Sequence, residues 1–139
     1  MVKKILLVED NIADAELVRI AVQELGFFNN VIVTNGNDEV FNYLDNHKPS
    51  DIGLILLDLN MPRVNGLDIL KRIRSTPRLQ FLPVVVFTTS SNKNDVLNCY
   101  DHGANAYIFK PIDFDAFNEI IKATVRFWLQ GNLLPSDND

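Results

Sequence analysis

Hydrophobic runs alternate along this chain with segments whose apolar residues recur every three or four positions. Five runs rich in Ile, Leu and Val predict buried strands, at residues 3–8, 31–34, 54–57, 84–87 and 106–109. Five segments with helical spacing predict helices, at residues 12–25, 38–46, 67–75, 93–102 and 115–129. Apolar strands that alternate with helices form parallel sheets covered on both faces. The pattern therefore predicts an α/β fold with a doubly wound five-stranded parallel sheet.

The length and composition are those of one globular domain. The chain has 139 residues, of which 47% are hydrophobic and 22% are charged. A domain of this size needs no disulfide or structural metal in order to fold. We predict that the domain comprises residues 1–130 and that the C-terminal tail, residues 131–139, is frayed, because Pro135 is followed by polar and acidic residues.

The chain lacks the sequence features of membrane, exported and nucleic-acid-binding proteins. Its apolar runs are too short to cross a bilayer, and its N-terminus lacks the apolar region of a signal peptide. Cys99, the single cysteine, is expected to be a small helix hydrophobe, and a cytoplasmic location is the default expectation. The net charge of −5 argues against direct DNA binding. The basic residues that cluster near the third predicted helix are expected to be solvated: Lys71, Arg72, Arg74 and Arg78.

Polar residues follow the predicted strands at one edge of the predicted sheet. In open parallel sheets, ligands bind in the crevice beyond the carboxyl ends of the strands. The residues at those positions are Glu9 and Asp10, Asp58 and Asn60, Thr88 with Thr89 and Ser90, and Lys110. The sequence therefore predicts a single cluster of carboxylates, hydroxyls and an ammonium group.

Three carboxylates would meet in this cluster, those of Glu9, Asp10 and Asp58. Like charges held together repel and raise one another's pKa unless a cation compensates them. An oxygen-rich pocket of this kind suits Mg2+, which takes a few protein oxygens and prefers to bind phosphate as well. A single acid at a strand end is often an ordinary surface residue, but three acids with a threonine and a lysine at matching strand ends favour a functional site.

Three other residues at this edge each have a structural alternative. Lys110 could be a surface lysine, Thr88 a β-branched strand terminus, and Tyr107 ordinary sheet packing. Lys110 ends a predicted buried strand and precedes Pro111, which favours a role in the site. A cis Lys110–Pro111 bond is one way to direct the ammonium group into the crevice.

Four separated motifs resemble the receiver domain of two-component response regulators. They are LVEDN at residues 7–11, LLDLNMPRVNG at 56–66, FTTS at 87–90 and YIFKP at 107–111. The resemblance runs from about residue 3 to residue 129 and implies a flavodoxin-like (βα)5 receiver fold. Glu9 stands where many members of the family have Asp, and either carboxylate is accepted there.

The resemblance implies a role for each residue of the cluster. Asp58 would accept a phosphoryl group from a partner histidine kinase. Mg2+ would be held by Glu9, Asp10, Asp58 and the backbone carbonyl of Asn60. Thr88 would hydrogen-bond the phosphoryl group, Lys110 would pair with it, and Tyr107 would be the aromatic switch residue. Phosphorylation would then change the protein-binding surface, as a local charge change that biases a two-state element.

The implied function is that of a phospho-acceptor signalling protein, with slow self-phosphotransfer and autodephosphorylation but no turnover of a small substrate. An intermediate phosphate carrier or sink in a multistep phosphorelay is the alternative. Residues 61–63 (MPR), 104–107 (ANAY) and 127–129 (FWL) further resemble the small response regulators that pair with phytochrome-type histidine kinases. The length leaves no room for a DNA-binding effector domain, so a protein partner is expected for the output.

Two other functions are disfavoured by single positions. A phosphatase or phosphomutase that uses an aspartyl phosphate has a second carboxylate two residues after the nucleophile, where this chain has Asn60. A flavodoxin-like cofactor binder has a phosphate-binding loop rich in Gly, Ser and Thr after the first strand, where this chain has Glu9-Asp10-Asn11.

The last predicted helix has an apolar stripe about twice as wide as the roughly 100° that a surface helix needs to pack on its sheet. One sector contains Phe117, Ile121, Thr124, Val125 and Trp128. A second sector contains Ala116, Ile120, Ala123 and Phe127. One sector must pack on the sheet, and the other is exposed unless neighbouring helices or the Leu133-Leu134 tail cover it. We predict that the second sector is an association surface for a homodimer.

Overall fold

Five parallel strands form the central sheet of the computed structural model, which describes residues 3–27 and 30–135. The strands are β1 (Lys4–Val8), β2 (Val31–Thr34), β3 (Ile52–Leu57), β4 (Val84–Thr88) and β5 (Ala106–Phe109). The helices are α1 (Ile12–Glu24), α2 (Asn37–Asp45), α3 (Gly66–Ser75), α4 (Lys93–Asp101) and α5 (Phe114–Arg126). The order in the sheet is β2-β1-β3-β4-β5, with every neighbouring pair parallel. The predicted flavodoxin-like (βα)5 fold is confirmed.

The sheet has a hydrophobic core on each face because successive strand residues point to opposite sides. In β1, Leu6 and Val8 join the core on one face, with buried residues of α2, α3 and α4. Ile5 and Leu7 join the core on the other face, with buried residues of α1 and α5. Every residue of β3 is buried, as expected for the central strand of a doubly covered sheet.

Two features of the fold differ from the pattern-based prediction. Asn60–Met61 and Val64–Asn65 form a small antiparallel hairpin between β3 and α3. Its strands have two residues each, which is too short for a periodic signal. The last helix keeps α-helical geometry only to Arg126 and continues as a π-helical turn at Phe127–Gly131, where the N–H of Asn132 donates to the carbonyl of Phe127 at 2.7 Å.

The basic cluster near α3 is not simply a solvated helix face, and that prediction was wrong for Arg74. Its guanidinium donates to the backbone carbonyls of Leu82 at 2.7 Å and Gly103 at 2.9 Å, and to the Asn105 side chain at 2.8 Å. Arg72 lies over the Phe41 ring, 3.8 Å from its centroid. Guanidinium groups have five donors in a rigid fork, which suits them to hold several loops at once.

The remaining expectations concern Cys99, membrane insertion and the tail. Cys99 is buried in the core, and burial raises the pKa of its thiol to about 11, as expected for a helix hydrophobe. Within residues 3–27 and 30–135, no helix has the length and apolar character to cross a membrane. In the tail, Leu134 and Pro135 line a cavity of about 110 Å³ with Phe81. Residues 136–139 lie outside the described residues, so the frayed tail remains a prediction.

Gly66, the first residue of α3, permits a close backbone approach beneath the end of β3. A Cβ atom at this position would lie 2.4 Å from the backbone oxygen of Asp58 and 2.9 Å from Cα of Leu59. We expect Gly66→Ala to lower the free energy of unfolding by about 1–3 kcal/mol, because the backbone that carries Asp58 must shift. Urea denaturation will measure the loss. Gly131→Ala is the matched control, because its Cβ atom would meet only the Arg126 oxygen at 3.9 Å; an equal loss in both variants would contradict the prediction.

Candidate functional site

The strand ends bring the predicted site residues together at the carboxyl edge of the sheet. Glu9 follows β1, Asp58 follows β3, Thr88 ends β4 and Lys110 follows β5. All four are buried, with relative exposures of 3%, 5%, 0% and 5%. Asp10 is also at this edge but is exposed to solvent. The predicted convergence is therefore present in the structure.

Lys110 is the centre of this site. Its Nζ donates to Glu9 Oε2 at 2.8 Å, to Asp14 Oδ2 at 3.0 Å and to Asp58 Oδ2 at 3.2 Å. An ammonium group has three donors, so these three carboxylates account for all of them. The side chains of Lys110, Glu9 and Asp58 are buried, which strengthens the electrostatic interaction between them.

Asp14 is a contact that the sequence reasoning missed. It lies in the first turn of α1, and its N–H donates to the Asn11 side chain, the N-cap of the helix, at 2.9 Å. The N–H of Asn11 in turn donates to Glu9 Oε1 at 3.0 Å. An N-cap signal at Asn11, which the sequence analysis did not use, could have placed the start of α1 and with it the side chains of the first turn at the carboxyl edge of the sheet.

Burial and charge act in opposite directions on the pKa values of this group. Burial raises the pKa of Glu9 to about 7; the hydrogen bond and charge of Lys110 oppose this shift, while the charge of Asp58 adds to it. Burial alone would lower the pKa of Lys110, but the hydrogen bond and charge of Glu9, followed by the charge of Asp58 and the hydrogen bond to Asp14, raise it overall. The ammonium group therefore remains charged at neutral pH.

The oxygen ligands for a divalent cation lie beside Lys110. One carboxylate oxygen from each of Glu9, Asp10 and Asp58 lies within 4.8 Å of the others, and we call this trio the acid pocket. A set of carboxylates open to solvent at Asp10 fits a hard cation such as Mg2+, which keeps several of its waters. The Asn60 carbonyl was predicted as a further ligand, and that role remains a prediction.

Asn60 also makes hydrogen bonds that the sequence did not indicate, through its side chain and through its backbone. Its Nδ2 donates to Thr88 Oγ1 at 3.3 Å, and its backbone N–H donates to Asp58 Oδ1 at 3.1 Å. Thr88 Oγ1 also accepts from the N–H of Ser90 at 3.3 Å. The Tyr107 hydroxyl donates to the Ser90 carbonyl at 2.8 Å. Thr88 and Tyr107 are thus joined through the backbone of one residue.

The Lys110–Pro111 bond is not cis, since no peptide bond in the described residues is cis. The N–H of Lys110 donates to the Thr88 carbonyl at 2.8 Å, which extends the pairing of β5 with β4 by one residue. Strand pairing therefore positions the Lys110 side chain, and no special turn at Pro111 is needed to direct it.

The two apolar sectors of α5 separate as predicted. In the inner sector Phe117, Ile121, Thr124 and Val125 are buried, and Trp128 packs against the same core. In the second sector Ala116, Ala123 and Phe127 are exposed and Ile120 is half-buried. Phe127 retains 56% exposure, and its ring meets Trp128 edge-on with centroids 4.9 Å apart. The association role of this sector remains a prediction.

Comparison with known proteins agrees with this arrangement. The sequence model of the response regulator receiver domain family matches residues 5–122 of this chain. The chain belongs to this family. It is 33% identical over 141 residues to the response regulator Rcp1 of Synechocystis sp., covering 96% of this chain and 94% of that protein.

Two solved structures of response regulators are similar to this chain in both sequence and fold. The phosphorylated cyanobacterial phytochrome response regulator RcpA superposes with a TM-score of 0.89 at 37% identity, covering 97% of this chain and 99% of RcpA. The Mn2+-bound form of Rcp1 superposes with a TM-score of 0.85 at 33% identity, covering 96% and 99%. The chain is therefore a receiver domain of the two-component type, with phytochrome-associated relatives. Receiver domains bind Mg2+ or Mn2+ at an acidic site, and the acid pocket fits that property.

We expect Mg2+ to raise the melting temperature, because the cation binds the folded acid pocket and relieves repulsion between its carboxylates. At about ten times the dissociation constant, binding contributes roughly 1.4 kcal/mol. Asp10→Asn should reduce this response, since it removes one carboxylate ligand. Differential scanning calorimetry over a Mg2+ series will measure it, with Asp115→Asn, an exposed acid on α5, as the control. An Asp10→Asn protein with the full response would place the metal elsewhere.

Proposed function

We propose that this chain is a single-domain response regulator that accepts a phosphoryl group on Asp58 from a histidine kinase. The observation that supports the proposal best is the buried Lys110 ammonium 3.2 Å from Asp58 Oδ2, beside the carboxylates of the acid pocket. A carboxylate is a known covalent acceptor in phosphoryl transfer. Transfer requires mainly positioning and positive charge on the equatorial oxygens.

In the proposed reaction, an Asp58 carboxylate oxygen attacks the phosphorus of a phosphohistidine in line with the imidazole. A phosphorus–oxygen bond forms, the phosphorus–nitrogen bond breaks, and the imidazole nitrogen takes a proton from solvent. Lys110 turns an N–H donor toward the transferring oxygens and neutralises part of their charge. When Mg2+ is bound by Glu9, Asp10, Asp58 and the Asn60 carbonyl, it supplies further charge neutralisation to the same oxygens.

Signal output follows from the contacts of Thr88 in this proposal. Its hydroxyl accepts hydrogen bonds from Asn60 and Ser90 before phosphorylation. Afterwards it donates to a phosphoryl oxygen, which draws it away from these partners. Tyr107 is held by the Ser90 carbonyl and reorients when that loop moves. The surface formed by α4, β5 and α5 changes as a result, and a partner protein reads the change.

The class of kinase is inferred from the relatives. RcpA is described as a phytochrome response regulator, and it shares 37% of its residues with this chain over almost the full length of both. We therefore propose a phytochrome-type histidine kinase as the donor. Action in the cytoplasm, slow autodephosphorylation, and the absence of contact with DNA or a membrane belong to the same proposal.

Asp58 should be modified by small phosphodonors in the presence of Mg2+, because the site requires no kinase residue beyond the phosphoryl group itself. The measurement is the mass increase of the intact protein after incubation with acetyl phosphate, followed by localisation in acid-stabilised peptides. Asp58→Asn should take up no phosphoryl group. Asp51→Asn, which replaces an acid at the opposite end of β3, should behave like the parent chain. Full phosphorylation of Asp58→Asn would contradict the proposal.

The second sector of α5 should mediate homodimer formation as part of this function. Its four residues form an apolar strip beside the buried sector of the helix, and Phe127 is its largest exposed member. Phe127→Lys should shift the protein toward monomer in sedimentation equilibrium at tens of micromolar. Phe81→Lys is the control, because Phe81 is equally an exposed aromatic residue, at 66%, but lies before β4. A parent chain that is monomeric throughout this range would remove the dimer from the proposal.

A further inference from the structure

Lys110 has one acidic partner that does not belong to the acid pocket. Glu9 and Asp58 both contact Lys110 and both offer oxygens to a cation, whereas Asp14 contacts Lys110 at 3.0 Å from a separate position on α1. The Asp14 side chain is 26% exposed, compared with 2% for Glu9 and 6% for Asp58. Asp14 therefore adds a negative charge at the opening of the site, in direct contact with the Lys110 ammonium.

The position of Asp14 is fixed independently of Lys110. The Asn11 cap accepts the N–H of Asp14, and Asn11 is itself attached to Glu9 through its own N–H. Ala15 and Val18, which follow on the same helix, are buried in the core against the sheet. The helix start cannot drift without disturbing these contacts, so the Asp14 carboxylate stays within reach of the ammonium.

The ammonium group cannot serve all its partners once a phosphoryl group arrives. Its three donors are occupied by Glu9, Asp14 and Asp58. A phosphoryl group on Asp58 brings additional negative oxygens, and Lys110 must turn a donor toward them. Asp14 holds that donor through its negative charge, and the same charge repels the phosphoryl group across the partly screened space between them.

We propose that Asp14 is a positioning residue that tethers Lys110 in the unphosphorylated protein and competes with the phosphoryl group for its ammonium. This inference rests on the proposed phosphorylation of Asp58. Asp14 thereby sets the affinity of the site for a phosphoryl-like anion without touching that anion. Its removal makes the phosphorylated state easier to reach, in contrast to removal of Lys110, which makes it harder.

Asparagine at position 14 separates charge from geometry. Asp14→Asn keeps an oxygen acceptor for Lys110 at nearly the same place and removes only the negative charge. Asp14→Glu keeps the charge on a longer side chain, and should restore the behaviour of the parent. Glu16→Gln is the matched control, because Glu16 is an exposed acid on the same helix and Lys110 contacts Asp14 instead.

The test is a beryllofluoride titration of these variants at saturating Mg2+. Binding is monitored through the amide NMR signals of Tyr107 and Thr88. Beryllofluoride is a tetrahedral, anionic analogue of the phosphoryl group that binds to the acceptor carboxylate. We expect Asp14→Asn to raise its apparent affinity about three- to tenfold, the effect of removing one partly screened charge near the ligand. Asp14→Glu and Glu16→Gln should remain within about twofold of the parent chain.

Mg2+ affinity, measured separately by calorimetric titration, distinguishes this role from a structural one. Removal of a negative charge lowers the affinity for a cation or leaves it unchanged, so Asp14→Asn should raise the beryllofluoride affinity without raising the Mg2+ affinity. A structural defect would weaken both. Thermal unfolding and near-ultraviolet circular dichroism will check that each variant is folded, and Asp14→Ser replaces Asp14→Asn if the latter is not.

Two results would overturn the inference. The first is an Asp14→Asn protein whose beryllofluoride affinity equals or falls below that of the parent. The second is an equal gain in Asp14→Asn and Glu16→Gln, which would show a general effect of net charge. If the parent fails to bind beryllofluoride, or if Asp58→Asn binds it equally well, the proposed phosphorylation of Asp58 fails and the inference fails with it. If the parent binds beryllofluoride and Asp58→Asn does not, but Asp14→Asn shows no gain in affinity, the role of Asp14 is overturned while the proposed function stands.

Discussion

The buried ion cluster around Lys110 is the constraint on which the site depends. A lysine that is 5% exposed would be unfavourable without compensation, because burial disfavours the charged form of an amine. Glu9, Asp14 and Asp58 supply the compensation, and the buried carboxylates of Glu9 and Asp58 in turn need the ammonium to offset their own loss of water. Loss of Lys110 would leave three carboxylates without their shared cation, whereas loss of one carboxylate lowers the negative charge around the ammonium. A change in the charge of one member therefore alters the interactions of the others.

The parallel sheet makes this set possible, since it brings residues 101 positions apart in sequence, Glu9 and Lys110, to 2.8 Å. Neighbouring β1, β3, β4 and β5 all end at one edge, where Glu9, Asp58 and Lys110 each follow a strand and Thr88 is the last residue of β4. Gly66 adds a further requirement, because α3 can approach the backbone of Asp58 only where there is no side chain. The geometry of the site is therefore set by backbone packing, and the charged side chains are placed on a frame that the apolar core holds rigid.

Most of this arrangement could be predicted from the sequence because it follows from periodicity and strand order. The strands and helices are long enough to show their repeat, and the rule that ligands bind at strand ends selects Glu9, Asp58 and Lys110. Asp14 could not be found in this way, because it lies on a helix and acts through the direction of its side chain. The Asn60–Thr88 contact depends on a hairpin whose strands have two residues each, too short to leave a pattern. The geometry of Lys110–Pro111 was also beyond the sequence, since strand pairing with Thr88, rather than proline itself, orients the lysine.

The polar contacts around Thr88 connect this charged cluster to the surface of the domain. A hydroxyl has one hydrogen to donate, and the Thr88 oxygen accepts from two groups, the Asn60 amide and the Ser90 N–H. A new acceptor near Asp58 therefore changes the Thr88 environment without any change in apolar packing. Ser90 accepts from Tyr107 through its carbonyl and donates to Asp95 of α4 at 2.6 Å through its hydroxyl. A displacement at Ser90 thus acts on both β5 and α4, whereas the buried cores on the two faces of the sheet can remain as they are. In the proposed function, a phosphoryl group on Asp58 acts on the surface through these few exchangeable hydrogen bonds.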